Sequence, residues 1–327
     1  MGIAVTGSIA TDHLMTFPGR FTDQLLADRL DRVSLSFLVD QLEIRRGGVA
    51  ANISFGLGLL GLRPVLIGAV GSDFEPYRVW LKQHGVDTDS VRVSTELHTA
   101  RFLCTTDRAQ NQIATFYAGA MAEAREIDLG SVIRRTGRLS LVMISPDDPE
   151  AMTRHTRACR KLGIPFAADP SQQLARLDGP EALELISGAR WLFTNEYEAA
   201  LLQERTGLTQ QQILNKVGCW VTTHGAQGVR LERTGHDPLA VPAVEVPGAV
   251  DPTGVGDGFR AGFLAGLAWG VPEQHAAQLG CAVAATVLDY VGTQEYRLYR
   301  DSLVSRLRMS YGPECVAHLT AHLRELT

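Results

Sequence analysis

The sequence contains few of the residues that mark specialised classes of protein. Only 7% of its 327 residues are aromatic, and the five cysteines are an odd number spread along the chain. The cysteines are Cys104, Cys159, Cys219, Cys281 and Cys315. They lack the paired spacing of a zinc site or a disulfide framework. We therefore expect reduced core cysteines and a cytoplasmic protein.

Neither sign of charge is in large excess. The chain has 31 Lys and Arg against 36 Asp and Glu, which gives a formal net charge of -5. Without a basic block, we expect neither nucleic acid nor an acidic membrane surface as a partner. No apolar run approaches the roughly 20 residues of a membrane-spanning helix. Because no repeat or linker divides the sequence, residues 1–327 are predicted to form one domain.

From about residue 139 onward, short apolar runs alternate with helical periodicity. The predicted buried strands are Leu141–Ile144, Pro165–Ala168, Trp191–Thr194, Trp220–Thr223 and Val229–Leu231. Predicted helices lie at 149–162, 180–188, 196–206 and 209–216, with others at 261–270, 276–289 and 300–327. This alternation predicts an α/β fold with a mostly parallel sheet and helices on both faces.

Polar residues follow several of these strands. They are Asp169, Gln172, Gln173, Asn195, Glu198, Thr223, Gly225 and Gly228. Open α/β sheets bind ligands at the carboxyl ends of their strands. Each of these residues taken alone is equally typical of a helix cap.

The first strand, residues 2–7, is followed by a polar stretch up to His13 that we interpret as a loop. Ser8 and Asp12 lie in it, and Asp12 is a candidate for binding substrate hydroxyls. A solvated loop carboxylate is the alternative. Further strands are predicted at Val33–Val39, and at Ala100–Thr106 and Gln112–Tyr117 as the two arms of a hairpin.

The stretch Asp251–Asp257 is rich in glycine and precedes an apolar helical pattern that begins near Phe259. A loop that opens a helix presents unpaired backbone N–H groups and a positive dipole end, and glycine lets an anion approach closely. Asp257 at such an anion hole could accept a proton from a hydroxyl that attacks a bound phosphate. An acidic helix cap explains the same residues equally well.

A literal G-x-G-x-x-G occurs at Gly56–Gly61. A dinucleotide-binding fingerprint follows a strand and opens a helix, whereas this one ends a predicted helix at 47–61 and precedes a strand at Val65–Val70. We interpret it as helix packing and termination, which argues against a dehydrogenase.

Two motifs point to a known family. The sequence D-P-T-G-V-G-D-G-F-R-A-G-F at 251–263 resembles the C-terminal motif of the ribokinase (PfkB-like carbohydrate kinase) family. The pair Gly47-Gly48 before Val49-Ala50-Ala51-Asn52 resembles its second motif, in the right order and about 200 residues upstream. Within the family, the chain is most similar to bacterial adenosine kinases.

The resemblance implies a ribokinase-like fold with a small β lid from about 13–46 and 98–119, often used for dimerisation, so we expect a homodimer. It assigns substrate binding to Ser8, Asp12, Gly47, Gly48, Asn52, Phe102, Phe116, Gln172 and Gln173. Phe102 and Phe116 would enclose a purine base, and Asp12 would bind sugar hydroxyls.

The resemblance also implies ATP and Mg²⁺ as cofactors, with a monovalent cation as a further candidate. It assigns nucleotide binding to Asn195, Thr223, Gly225, Gly228, Thr253 and Gly254, and Mg²⁺ to Asn195 and Glu198, largely through water. Gly254, Val255 and Gly256 would form the anion hole and Asp257 would be the base.

The function predicted is ATP-dependent phosphorylation of the 5′-hydroxyl of adenosine. A kinase for ribose or a phosphosugar is the alternative within the family. A nucleoside- or sugar-binding sensor without catalysis is the alternative from another class, and it would be marked by loss of the base or the anion hole.

Overall fold

The computed structural model describes residues 2–25, 35–324 and 326. Its strands are β1 (Gly2–Thr6), β2 (Ala10–Thr16), β3 (Gln41–Gly47), β4 (Val65–Ile67), β5 (Ala69–Val70), β6 (Arg92–Val93), β7 (Ala100–Thr106), β8 (Gln112–Tyr117), β9 (Leu139–Ile144), β10 (Phe166–Ala168), β11 (Trp191–Asn195), β12 (Trp220–Thr223), β13 (Val229–Glu232) and β14 (Leu239–Val241). Its α-helices are α1 (Val49–Leu59), α2 (Glu75–Gln83), α3 (Leu129–Thr136), α4 (Pro149–Leu162), α5 (Gly179–Ile186), α6 (Glu196–Thr206), α7 (Gln210–Leu214), α8 (Val255–Trp269), α9 (Glu273–Val287) and α10 (Arg300–Leu319).

The larger sheet has eight strands in the order β14-β13-β12-β11-β10-β9-β1-β4. The pairs from β4 to β12 are parallel, and β13 and β14 add antiparallel strands at one edge. The predicted mostly parallel sheet is therefore confirmed. Parallel strands end at the same edge, so the polar residues that follow β10, β11 and β12 lie along one rim.

Helices cover both faces of this sheet because its strands are apolar on both sides. Val5 and Met143 pack into a core with Phe55 of α1 and Phe263 of α8. Their strand neighbours Ala4 and Val142 point to the opposite face and pack with α4, α5 and α6. Successive side chains of a β-strand point to opposite faces of the sheet, so a strand buried on both sides contributes alternate residues to the two cores.

A second sheet of four strands, in the order β3-β2-β7-β8, forms the lid. The predicted hairpin of β7 and β8 is present, with Phe102 directly opposite Phe116. The predicted strand at 33–39 is wrong over its described part, residues 35–39, and residues 33–34 lie outside the described chain. Pairing with β2 begins at Asp40, because β2 ends at Thr16 before Pro18 and offers no partner for earlier residues.

The interpretation of residues 7–13 as a loop is also wrong from Ala10 onward. Those residues begin β2, which pairs with β3 on one side and with β7 on the other. The half-polar stretch Ala10–Thr16 becomes a strand because two partners bond its backbone, a tertiary effect that local polarity conceals. Asp12 therefore projects from a strand.

Several helix boundaries differ from those predicted, and three of the differences concern the site or a break in a helix. Helix α8 begins at Val255, so Asp257 is already helical. Helix α1 begins at Val49, because Gly47 ends β3 and Gly48 is the cap at φ +94°. Helix α10 is broken at Gly312, where φ is +83° and Pro313 follows. A proline after a left-handed glycine ends one helical segment and starts another.

None of the helices in the described part of the chain is long and apolar enough to span a membrane.

Candidate active site

The N-terminus of α8 forms the floor of a cleft. Gly254 caps the helix at φ +78°, and a Cβ there would lie 2.9 Å from Thr293 Cγ2. A side chain is therefore excluded both by backbone strain and by space. The N–H of Val255 donates to Pro252 O at 3.4 Å, whereas the amides of Gly256 and Asp257 have no carbonyl partner in the described chain. With the helix dipole, these two amides favour an anion at this point.

Asp257 lies in that first turn and is partly buried. Its Oδ2 accepts a hydrogen bond of 2.8 Å from Asn52 Nδ2 on α1. Burial raises the pKa of Asp257 to about 7, while the Asn52 hydrogen bond and the charge of Arg260 pull it back toward its usual value. A carboxyl group with a pKa near neutrality is well suited to accept a proton from a hydroxyl.

Asn52 is itself held by residues from the end of the chain. Its Oδ1 accepts a hydrogen bond of 2.9 Å from Gln294 Nε2 and lies 2.9 Å from Thr293 Oγ1. The oxygen of the amide is thus fixed by these partners, and its NH₂ group is directed at Asp257. Asn52, predicted to bind substrate, has a second task that the sequence did not indicate: it orients the candidate base.

Four side chains form a row across the lid at one register: Arg45, Asp12, Phe102 and Phe116. Directly opposed residues on neighbouring strands share a face of the sheet. Arg45 Nη1 lies 3.9 Å from Asp251 Oδ2, so this face is turned toward the loop before α8. Phe116 is 51% exposed. The lid therefore presents a carboxylate and two aromatic rings on the side of the cleft.

Burial raises the pKa of Asp12 to about 6, and the Arg45 charge opposes this effect. Gly47 lies beside Asp12, since a Cβ on Gly47 would come within 2.9 Å of Asp12 Oδ2. Ser8 is occupied structurally: its Oγ accepts a hydrogen bond of 3.0 Å from Val49 N, and it thereby caps α1.

The cleft has a volume of about 560 Å³ and a polar lining. Its lining includes Asp169, Ser171, Asn195, Glu198, Thr223, Gly225, Gly254, Gly256, Asp257 and Arg260. A neighbouring apolar cavity of about 730 Å³ shares Thr223, Gly225 and Gly256 with it and is walled by Gly228, Val244, Val246, Phe259 and Leu288. Both volumes fall in the range of small-molecule sites.

Asn195 and Glu198 form the capping box of α6, in which each side chain binds the other residue's backbone N–H at 2.8 Å. Glu198 Oε1 also accepts a hydrogen bond of 3.1 Å from Ser171 Oγ. The helix-cap interpretation is therefore correct. The same two residues line the cleft with oxygen atoms of the kind that Mg²⁺ prefers, and because those atoms are engaged in the cap, contact through water fits them best.

The remaining predicted residues are less central. Gln172 is exposed and Gln173 is buried, and neither lines the cleft. Thr253 is exposed, and its N–H donates to Asp251 Oδ1 at 2.9 Å. The structure thus brings together residues from α1, α6, α8 and β12. Asp12, Phe102 and Phe116 of the lid are not among the residues that line the cleft, and the two glutamines also lie outside it.

Sequence reasoning missed Arg260. Its Nη2 donates to Asp169 Oδ1 at 2.6 Å in a buried ion pair within the cleft wall. The available signal was a cation in the otherwise small and apolar run Gly258–Gly266, three residues after Asp257 and hence on the same face of α8.

A cluster away from the cleft has the composition of a metal site: His275, Glu314 and His318. The two imidazole rings are stacked, with centroids 4.3 Å apart and planes inclined by 24°. Lone pairs of imidazole lie in the plane of the ring, so nearly parallel stacked rings do not direct them at one ion. The cluster in this form does not fit a metal.

Comparison with known proteins agrees with this geometry. Residues 7–298 match the model of the pfkB family carbohydrate kinases. A nucleoside kinase from Methanocaldococcus jannaschii is 28% identical over 80% of this chain and 85% of its own length. An ATP-dependent ribose-1-phosphate kinase from Halopiger xanaduensis is 30% identical over 74% and 79%, respectively.

Among solved structures, a nucleoside kinase from Burkholderia thailandensis in complex with inosine superposes with a TM-score of 0.81. It is 32% identical, and the alignment covers 95% of this chain and 98% of that one. The match confirms the predicted ribokinase-like fold. The chain belongs to the pfkB family of carbohydrate kinases and is a phosphotransferase that acts on a nucleoside or sugar hydroxyl group.

Proposed function

We propose that this protein transfers the γ-phosphoryl group of ATP to the 5′-hydroxyl of a purine nucleoside, with adenosine as the predicted acceptor. The observation that carries the proposal is the placement of Asp257: a carboxyl group with a raised pKa, directed by Asn52, in the first turn of a helix whose N-terminal amides at Gly256 and Asp257 face an anion hole. A sensor without catalysis has no use for such a base.

The residues of this chain then have distinct tasks. Asp257 accepts the proton of the attacking hydroxyl. The backbone amides after Gly254 stabilise the phosphoryl group as it is transferred. Thr223, at the end of β12, and Gly225, in the loop that follows, lie between the cleft and the apolar cavity, and the adenine of ATP fits that cavity. Bound Mg²⁺ would neutralise phosphate charge, with Asn195 and Glu198 holding it through water.

The lid supports a nucleoside as acceptor. Asp12 supplies an acceptor for sugar hydroxyls, and Phe102 and Phe116 follow at the same register on the next two strands. Two rings against a purine contribute roughly 0.5–1.5 kcal/mol each beyond burial. The Burkholderia thailandensis relative was solved with inosine, and other relatives are nucleoside kinases. Adenosine and inosine are therefore the first acceptors to compare.

An ADP-release assay over adenosine, inosine, ribose, ribose 1-phosphate and fructose 6-phosphate tests the proposal. We expect the highest kcat/KM for adenosine. A higher value for inosine would correct the base and keep the nucleoside. A higher value for any of the three sugars would overturn the nucleoside assignment, and binding of adenosine without turnover of any acceptor would favour the sensor.

The variant Phe102→Ala tests the aromatic pair. Loss of one ring should raise KM for adenosine roughly 3- to 10-fold, because up to about 1.5 kcal/mol of stacking is removed. Any residual activity on ribose should hardly change, since ribose has no base. Thr115→Ala, on the opposite face of the lid, is the matched control. Equal losses on both acceptors would point to a general defect of the lid.

We also propose that the chain is one domain, that it works in the cytoplasm and that it forms a homodimer through the lid. The outer face of the lid, opposite the row that contains Asp12, carries exposed apolar residues. These are Leu42, Ile44, Ile113 and Tyr117, which are 57%, 60%, 48% and 39% exposed. A sheet with one such face is stabilised by a partner.

A further inference from the structure

Arg260 is a buried cation directly beneath the candidate anion hole. Only 9% of its side chain is exposed. Long helical side chains lean toward the N-terminus of their helix, and Arg260 accordingly reaches back one turn, where Nη1 donates to the carbonyl oxygen of Gly256 at 3.0 Å. Nη2 donates to Asp169 Oδ1 at 2.6 Å, just past the end of β10. One guanidinium thus joins the first turn of α8 to the rim of the sheet.

Stability alone does not account for this pair. Taking two charges out of water costs several kcal/mol per ion, and well-packed apolar residues often replace such a pair without loss. Arg260 Nε and Asp169 Oδ2 are buried without a hydrogen-bond partner within the described chain. Incompletely satisfied buried charges that line a cleft are typical of functional sites. Among the described residues lining this cleft, Arg260 is the one cation.

We propose that Arg260, anchored by Asp169, is a positioning residue for phosphoryl transfer: it fixes the first turn of α8 through the Gly256 carbonyl, and it places a positive charge against the turn that carries Asp257. The inference rests on the proposed function and adds two residues to its machinery. Arg260 acts through Gly256 and Asp257 rather than by contact with the nucleoside.

Arg260 and Asp169 have opposite effects on the ionisation of Asp257. Arg260 from its own helix favours the carboxylate, and Asp169 from the sheet rim disfavours it. Tyr77 of α2 and Tyr296 before α10 also face Asp257, and burial raises the pKa of both, so they remain neutral. Asn52 of α1 donates a hydrogen bond without charge. Glu198 of α6 faces Arg260 and lowers the net positive charge there.

Variants of the pair should therefore shift the titration of Asp257 in opposite directions. Arg260→Met removes the positive charge and should raise the apparent pKa of Asp257 by about one unit. Asp169→Asn removes the negative charge, leaves Arg260 in place, and should lower it. The double variant should return close to the wild-type value, because the two shifts offset each other.

Two measurements read these shifts. The first is the acidic limb of the pH profile of kcat/KM, which reports groups of the free enzyme. The second is the ¹³C carboxyl titration of Asp257 by NMR in the full chain without substrate, which does not require activity. Arg260→Lys keeps the positive charge but loses the donation from two nitrogens. We therefore expect the acidic limb of the pH profile to lie at the wild-type pH, kcat to fall about 10-fold, and KM for the nucleoside to stay unchanged.

Arg157→Met is the control, because Arg157 also forms a two-pronged pair, with Glu184, on the surface far from the cleft. It should leave the titration of Asp257 unchanged. Shifts of the same sign in Arg260→Met and Asp169→Asn, or no shift in either, would overturn the inference. A wild-type protein that phosphorylates no acceptor would overturn the proposed function instead, and the NMR titration separates the two failures.

Discussion

Asp257 is the residue on which the proposed chemistry depends. Asp257→Asn keeps the shape of the side chain and removes the proton acceptor, so we expect adenosine binding to persist while turnover falls by about 10²–10⁴. Calorimetry and steady-state rates on one preparation check this. Turnover above a tenth of the wild-type value would remove Asp257 from the role of base.

Asp12 allows a second prediction at the residue scale, on stability. Burial raises its folded pKa to about 6 from 3.8, so the folded state disfavours the ionised form. The resulting destabilisation is absent below pH 3.8, grows as pH rises between these values and is complete above about 6. Asp12→Asn should therefore raise the melting temperature of the ligand-free protein at pH 8, and not at pH 3.5, while weakening nucleoside binding.

Thermal melts at the two pH values, with a nucleoside titration at pH 8, make the comparison. A melting temperature at pH 8 that is unchanged or lower would show that the attraction of Arg45 outweighs burial. A variant that changes Asn52 cannot serve as a control for this comparison, because Asn52 donates a hydrogen bond to Asp257 and its loss would also affect the candidate base.

Single residues could be predicted from the sequence where the information is local. Asp257 and Gly254 stand out because glycines and a carboxylate precede a helical pattern. The partners of these residues could not be predicted, because Asn52 lies 205 positions from Asp257 and Asp169 lies 91 positions from Arg260. Only the fold brings them within hydrogen-bond distance.

At the scale of elements, the junction between β3 and α1 depends on Gly48. Its φ is +94°, and a Cβ there would lie 2.6 Å from Ser8 O and 2.7 Å from Ala10 N, both rigid backbone atoms. Gly48→Ala should therefore cost more than the roughly 1–3 kcal/mol of backbone strain alone. Gly137→Ala is the control, because φ is +80° there and no atom lies within 4 Å of the added Cβ.

Chemical denaturation of both variants gives the comparison. We expect Gly137→Ala to lose only the strain, and Gly48→Ala to lose at least about 2 kcal/mol more or to fail to accumulate as folded protein. Equal losses would mean that the junction relaxes to admit the methyl group.

The start of α6 separates a structural role from a functional one. Glu198→Gln retains the capping box, because glutamine also bonds back to the cap residue, so stability should stay within about 0.5 kcal/mol. The lost negative charge should raise the Mg²⁺ concentration needed for half-maximal rate several-fold. An unchanged Mg²⁺ titration would restrict Glu198 to its observed role as a cap.

Elements of the larger sheet were predictable because strands buried on both faces are short, continuous apolar runs between helices. The strands of the lid were less predictable, because they have one polar face. The alternating pattern at 33–39 suggested a strand, but in the structure Phe37 of this segment packs against Phe17 and Phe21. An alternating pattern indicates which side chains are buried, but it does not show whether a neighbouring strand is available to hydrogen-bond the backbone.

At the scale of the whole molecule, the predicted homodimer through the lid can be tested by mass. Light scattering at micromolar concentration should give twice the 35.5 kDa of one chain. Ile44→Glu places a charge in the middle of the exposed apolar face and should give a monomer. Met309→Glu, at an 80% exposed site on α10, should remain dimeric. A monomeric wild type would reject the dimer.

The lid is assembled from stretches far apart in the chain, and this bears on the order of folding. Strand β2 lies between β3 and β7, and its partner in β7 is made about ninety residues later. Contacts between such distant residues form slowly because a long loop must close first. During synthesis β2 therefore has one bonded edge at most until β7 is complete. The wall that holds Asp12, Phe102 and Phe116 should therefore form after the local helices α1 and α2, which lie between β2 and β7 in the chain.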